Sequence, residues 1–453
     1  MNYLNKYILL STLLTISVTA VAQVSFENAG GEVIEIKPPT STGLSAVYVL
    51  PDAANAKVVF KSPGSQGATH RWQRFDSRGG GFAETVPSTV NGSESSVLLG
   101  VGDAGYIVAP SDGAAQTCFW IVNYANHECV LRELLTPAEQ DCGQQRLTLD
   151  GEAGRIMYYS VNGRGETLSR GLRLSYSTLS LDEERRQWVN AEGEETLDYV
   201  SGDIISAAPL CDTDFTLSGD RFQQQWGREQ TVATATVAAH SVEAATWAEQ
   251  YARESDNEIK DGDDSSDGSL GGSAPVRISF TAAVTDAAIY REWQFATDPE
   301  FDLIDMRVND LEAERVFEDY GTVYARFVCG NNDGTCEYAS QTYTVNIGES
   351  RLECPNAFSP GASEGVNDLW KVSYKSITSF DCHIFNRWGV EVARLTNPSQ
   401  GWDGRYKGKL VPSGVYYYVI KARGADGKSY KLSGDINIIG YKDNRSTTST
   451  PVE

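Results

Sequence analysis

The sequence holds little histidine: four residues in 453, at positions 70, 127, 240 and 383. No two stand four apart and no HExxH occurs, which removes the helical zinc-protease site. No CxxC occurs, so a zinc ribbon or thioredoxin-like centre is not expected. GxSxG and the Walker A loop are missing, which removes the commonest serine-hydrolase and P-loop signatures. Past residue 22 no run approaches the ~18 apolar residues of a membrane-spanning helix. Basic charge is also scarce: 38 Lys and Arg stand against 61 Asp and Glu, for a net charge of −23. A surface that acidic repels phosphate and argues against a nucleic-acid partner.

Aromatic residues are plentiful. Twenty-two Tyr and nine Trp favour β-structure, and 42 Gly with 15 Pro supply turns. The length suits about three or four domains. Residues 1–22 read as a signal peptide: Lys6 is basic, Ile8 to Val18 is apolar, and Ala20-Val21-Ala22 places cleavage between Ala22 and Gln23. Eight cysteines follow, at Cys118, Cys129, Cys142, Cys211, Cys329, Cys336, Cys354 and Cys382. An even number in an exported chain predicts disulfides. Sequence proximity pairs 118 with 129, 142 with 211, 329 with 336, and 354 with 382.

Along the chain, residues 23–135 show short alternating runs such as Arg71 to Phe75. A Trp strand, a Gly-Tyr strand (105–108) and a Cys strand (118–122) follow in the rhythm of an immunoglobulin-like sandwich. Residues 136–255 read as a further sandwich, with a short helix at Leu181 to Arg186. Residues 256–273 are acidic, Gly/Ser-rich and nearly free of apolar groups, as a linker or long loop is. Within them Asp263, Ser265, Asp267 and Gly268 start an EF-hand register, but Ala274 stands where the closing Glu is needed. Residues 274–350 repeat the rhythm of the first domain, with Trp293, the Gly-Tyr strand 321–327 and Cys329, and resemble polycystic-kidney-disease-like and immunoglobulin-like modules.

Residues 351–440 are the most legible part, followed by a polar tail, 441–453. Phe380 to Phe385 alternates, and Asn386-Arg387-Trp388-Gly389 makes a turn. Trp402-Asp403-Gly404 and Pro412-Ser413-Gly414 make two more, so short antiparallel strands in a small β-sandwich are expected. Both Trp388 and Trp402 are expected in its core, with Arg387 partly exposed; the alternative for the Arg387-Trp388 pair is a binding hot spot, since both types are enriched at interfaces. This domain holds twelve Lys/Arg against eight Asp/Glu, so it is basic at about +4 while the remainder is strongly acidic.

The same residues resemble a known family, the gliding-motility-associated C-terminal domain, which is the type B sorting domain of the type IX secretion system. The matching positions are Pro355, Asn356, Phe358, Pro360, Asn367 and Asp368; Phe385 to Gly389; Trp402, Asp403 and Gly404; then Pro412, Gly414 and Tyr416. The family's acidic loop before the Asn-Asp pair is reduced here to Gly361-Ala362-Ser363-Glu364-Gly365, so no metal is expected there. The resemblance implies export by the type IX machinery and docking on an outer-membrane barrel of the PorP/SprF-like class. The fold class expected is all-β: tandem immunoglobulin-like or polycystic-kidney-disease-like sandwiches ending in the sorting domain. The function expected is that of a non-enzymatic, cofactor-free surface protein that binds an extracellular ligand, or serves envelope signalling in a PorA-like way. The alternative is a secreted hydrolase with its site in residues 136–255.

Overall fold

The strand Thr117–Asn123 is buried from Cys118 to Asn123 without alternation. A half-exposed strand alternates; a continuous apolar run is the mark of a strand covered on both faces. Here Phe119 and Ile121 face Trp72, Tyr106 and Phe60, whereas Cys118, Trp120 and Val122 face Phe75, Ile156, Tyr158 and Phe222. The computed structural model describes residues 23–62, 69–111, 113, 115–138, 141–252, 255–260, 270–362 and 365–440. The signal-peptide reading of residues 1–22, the acidic run 261–269 and the tail 441–453 lie outside these.

The chain forms two compact units. The first comprises residues up to 178 together with 192–207 and 212–238. It opens with the expected sandwich. Gln23–Glu27, Lys57–Lys61, Glu94–Leu98 and Thr89–Asn91 form one sheet; a second places Thr117–Asn123 between Ala46–Leu50 and Ala104–Pro110, with His70–Phe75 beyond. A second sandwich follows around Leu147, Leu172, Leu174, Phe215 and Leu217. Its paired strands include Gln144–Glu152 with Ile204–Ala207, and Leu172–Asp182 with Thr216–Gly219.

A buried polar network accompanies this packing. Arg170 Nη1 donates to Asp220 Oδ2 at 2.7 Å, with the two side chains 3% and 0% exposed. Tyr124 Oη donates to the same oxygen at 2.9 Å and accepts from the Cys129 amide at 3.1 Å. Asp220 also caps the short helix Arg221–Gln225, accepting from the Gln223 amide at 2.9 Å. Arg170 reaches the Gly154 and His127 carbonyls, so both ions of the pair have their hydrogen bonds made, as burial requires. Burial and the nearby Asp220 carboxylate push the Tyr124 hydroxyl well above its usual range.

The second unit comprises 179–191, 208–211 and 239 onward. Its first sandwich pairs Ala244–Gln250 with Val276–Val284 and Glu312–Phe317, against a sheet containing Tyr343–Ile347, Gly321–Gly330 and Tyr290–Ala296. It thus takes a strand from 244–250, ahead of the expected start at 274. Trp293 lies at its centre, 5.4 Å from Phe280 and 5.3 Å from Phe327.

Three expectations are corrected. Leu181 to Arg186 is not helical: Leu172–Asp182 stays extended through Leu181 and Asp182, with Leu172, Leu174 and Tyr176 at a strand's spacing into the core. The chain then turns back into Gln187–Leu197, with Asp182 Oδ1 accepting from the Arg185 amide. The linker is ordered where it is described. Asn257 Nδ2 donates to the Val372 and Pro398 carbonyls, Asp256 pairs with Lys371, and Leu270–Gly272 is a strand beside Tyr343–Ile347.

The third correction concerns the cysteines. Cys142 and Cys336 are each disulfide-bonded, while Cys118, Cys129, Cys211, Cys329, Cys354 and Cys382 are thiols. None of the four expected pairs forms. Cys118 and Cys129 belong to different cores. Strand register places Tyr338, not Cys336, opposite Cys329. Asn331 closes that loop instead, its Oδ1 accepting from the Thr335 and Cys336 amides at 3.1 Å each.

Candidate docking site

The terminal domain is a five-stranded sheet in the order Ala357–Phe358, Ser429–Ile438, Gly414–Gly424, Ile377–Phe385 and Glu391–Leu395. Inward positions alternate as the sequence predicts: Phe380, Cys382 and Ile384 on one strand, Tyr416, Ile420 and Ala422 on the next. Across this layer lie Trp370, Val372, Trp402 and Val411.

Most of the motif residues turn out to build this domain. The Pro355 carbonyl accepts from Trp370 Nε1 at 2.7 Å, and the Asn356 carbonyl accepts from the Asn437 amide at 2.9 Å. Phe358 and Pro360 are buried, and Gly404 packs beneath both: a Cβ there would meet Pro360 at 3.1 Å and Phe358 at 3.3 Å, and its φ is +72°. Trp402 is 3% exposed, and its Nε1 donates to the Arg405 carbonyl. Asp403 Oδ1 accepts from the Arg405 amide, closing the Trp-Asp-Gly turn. Tyr416 Oη donates to the Pro412 carbonyl at 2.9 Å, and Gly414 starts its strand. The Asn367 carbonyl accepts from the Ser359 amide. Asp368 spends its two oxygens on backbone, Oδ1 on the Gly361 amide at 2.7 Å and Oδ2 on the Gly365 amide at 2.8 Å. Glu364 lies outside the described residues.

Trp388 is the exception and corrects the expectation of a core residue: it is 72% exposed. The turn explains why. Asn386 Oδ1 accepts from the amides of both Trp388 and Val390 at 3.0 Å, and the Gly389 amide donates to the Asn386 carbonyl. Gly389 takes φ +79°, the left-handed conformation that glycine adopts without a steric cost. This hairpin tip holds the indole away from the sheet. The Arg387 guanidinium lies over the ring, 4.2 Å from its centroid, a cation–π contact that keeps the cation and the aromatic face together. Beside them is a cavity of about 270 Å³, with Val392, Tyr406, Pro412 and Val415 in its lining. The Asn-Arg-Trp-Gly and Pro-x-Gly-x-Tyr segments, over twenty residues apart in sequence, thus meet at one depression. An exposed Trp stacked with Arg, next to a small cavity, has the composition of an interface anchor.

Asp381 and His383 line the neighbouring sheet face. Arg394 donates to both Asp381 oxygens, at 2.8 and 3.1 Å, and holds that carboxyl below its usual range. His383 hydrogen-bonds Glu391 at 2.9 Å.

Comparison with known families agrees with this geometry. Residues 352–438 match the CHU_C type IX secretion signal domain, and residues 134–234 match the fibronectin type III domain. The chain is therefore an exported, surface-associated β-sandwich protein that carries a type IX sorting domain and interacts with that secretion machinery. No curated protein matches it. Among solved structures it is similar to a tetra-tandem repeat from the extending region of a large adhesion protein, at 12% identity over 86% of this chain and 96% of that one, TM-score 0.22. It is also similar to the FN1–FN3 domains of chicken CNTN1, at 10% identity over 69% and 99% of the respective chains, TM-score 0.20. No helix of the described residues is long and apolar enough to cross a membrane.

Proposed function

We propose that the tip Asn386–Gly389, together with the depression beside Pro412, is the surface through which a PorP/SprF-like outer-membrane barrel captures this chain. The remaining sandwiches are displayed as non-enzymatic binding modules for an extracellular ligand. The observation that carries the docking reading is the exposure of Trp388. Its domain buries Trp370 and Trp402, so leaving a third indole in water is unfavourable for the isolated fold and suits a contact made with a partner. The positive balance of this domain suits an acidic partner surface. The non-enzymatic reading is supported by Asp220. This fully buried carboxylate in the segment 136–255 is saturated by Arg170, Tyr124 and the Gln223 amide, as a structural ion is.

The test is surface display of the full chain with Arg387→Ala and Trp388→Ala together. The double variant should fold, accumulate in the periplasm and no longer co-purify with the barrel, as should a chain lacking 351–453. Normal display of the double variant would remove the docking assignment.

A further inference from the structure

The second unit contains a cleft of about 740 Å³ that the sorting reading does not use. Its walls come from the hairpin segment 179–191, the end of Val276–Val284 and the loop that follows that strand. That volume lies in the range of small-molecule sites.

The cleft is preformed. Trp188 Nε1 donates to the Ala283 carbonyl at 3.1 Å, which fixes the indole while leaving it partly exposed. Thr285 is buried, its Oγ1 accepting from the Glu243 amide at 3.0 Å, and the Ile289 amide donates to the Gly330 carbonyl at 3.0 Å. Arg186 is held in place by an ion pair with Glu249 and by the Trp247 ring, 5.4 Å from its guanidinium.

The lining mixes two kinds of surface. Trp188 and Ile289, the latter 63% exposed, offer apolar area. Asn190, Asp286 and Arg291 are exposed and offer an amide, a carboxylate and a guanidinium. Together these supply both donors and acceptors. A pyranose has the matching construction, with an apolar C–H face and a rim of hydroxyls that donate and accept. An entirely apolar ligand would leave the polar rim unpaired, which is costly. A polyanion would meet a chain of net charge −23 and, in the cleft, the Asp286 carboxylate; of the two guanidiniums there, Arg186 is already paired with Glu249. We infer that this cleft binds a neutral oligosaccharide, with Trp188 and Ile289 against a sugar face and Asn190, Asp286 and Arg291 on its hydroxyls.

The inference is independent of how the chain is sorted, and it is tested on the purified full chain. Calorimetric titrations use cellotetraose, laminaritetraose and mannotetraose, with tetragalacturonate as the anionic counterpart. At least one neutral tetrasaccharide should bind below about 10 mM, and about tenfold or more tighter than tetragalacturonate. Asp286→Ala and Asn190→Ala, both at exposed positions, should each weaken that binding about tenfold without changing the melting temperature. The inference is overturned if none of the three neutral sugars binds, if tetragalacturonate binds as tightly, or if neither substitution changes the affinity.

Discussion

Trp370 and Trp402 exchange backbone hydrogen bonds in both directions, at 2.9 and 3.0 Å, and both indoles are buried. This bridge fastens the segment between Ala357–Phe358 and Ile377–Phe385 to the turn Trp402–Gly404, with Phe358 and Tyr416 at 5.5 and 5.3 Å from the Trp402 ring. Trp370→Ala or Trp402→Ala should therefore cost about 3–5 kcal/mol. Trp388→Ala, at an exposed tip, should stay within about 0.5 kcal/mol. Native-state hydrogen exchange on the strands Ile377–Phe385 and Gly414–Gly424 separates the two outcomes.

The loop at 361–368 should not depend on calcium. Asp368 already accepts from two loop amides, the contacts that order the turn. Chelator and millimolar calcium should give the same melting curve for the full chain. Asp368→Ala should destabilise the terminal domain by about 1–3 kcal/mol, because it leaves those amides without their carboxylate.

Glu292 should make stability acid-sensitive. Burial by itself raises its pKa, but hydrogen bonds from Gln294 and Tyr290 and the charge of Arg307 outweigh burial and hold it below the usual carboxylate range. A depressed folded pKa stabilises the fold above the unfolded value of about 4.3, and that contribution is lost as pH falls through the folded value. Compared with Glu292→Gln, the native chain should keep a constant advantage from about pH 7 down to about 5 and lose it progressively below about pH 4. Urea unfolding at stepped pH reads this directly.

Thiol chemistry should follow the structure rather than sequence proximity. Burial, then the neighbouring Cys354 and Asp381, push the Cys382 thiol up to about 12, and burial pushes Cys329 to about 11. Both should resist alkylation in the folded chain and react once it is denatured without reductant. Peptides containing Cys142 or Cys336 should be labelled only after reduction.

The sorting domain was legible because its inward residues alternate and its turns carry Asn, Gly and Pro at the positions that need them. The sequence did not show which tryptophan of the motif points outward. Trp388 and Trp402 both adjoin Gly-containing turns; Asn386 takes the Trp388 and Val390 amides at an exposed tip, whereas Trp402 is tied to Trp370 by backbone hydrogen bonds in both directions. Trp370 lies outside the recognised motif, although a Trp beside an Asn-Asp pair was a signal that could have been used. Disulfide pairing failed for a different reason. Neighbours in sequence become neighbours in space only if strand register allows it, and at Cys329 the partner across the strand is Tyr338. The cleft at Trp188 was invisible because its walls come from residues about a hundred positions apart.

The double-sided burial of Thr117–Asn123 sets how this protein can be divided. A cut at residue 135 would strip the cover from Trp120 and Val122 and separate Tyr124 from Asp220. Either fragment would then expose a broad apolar face and aggregate, however tidy the boundary looks in the sequence. Any exchange of surface modules between related chains would therefore have to carry both sandwiches of the first unit as one cassette, and would have to leave the segments 179–191 and 208–211 with the second unit.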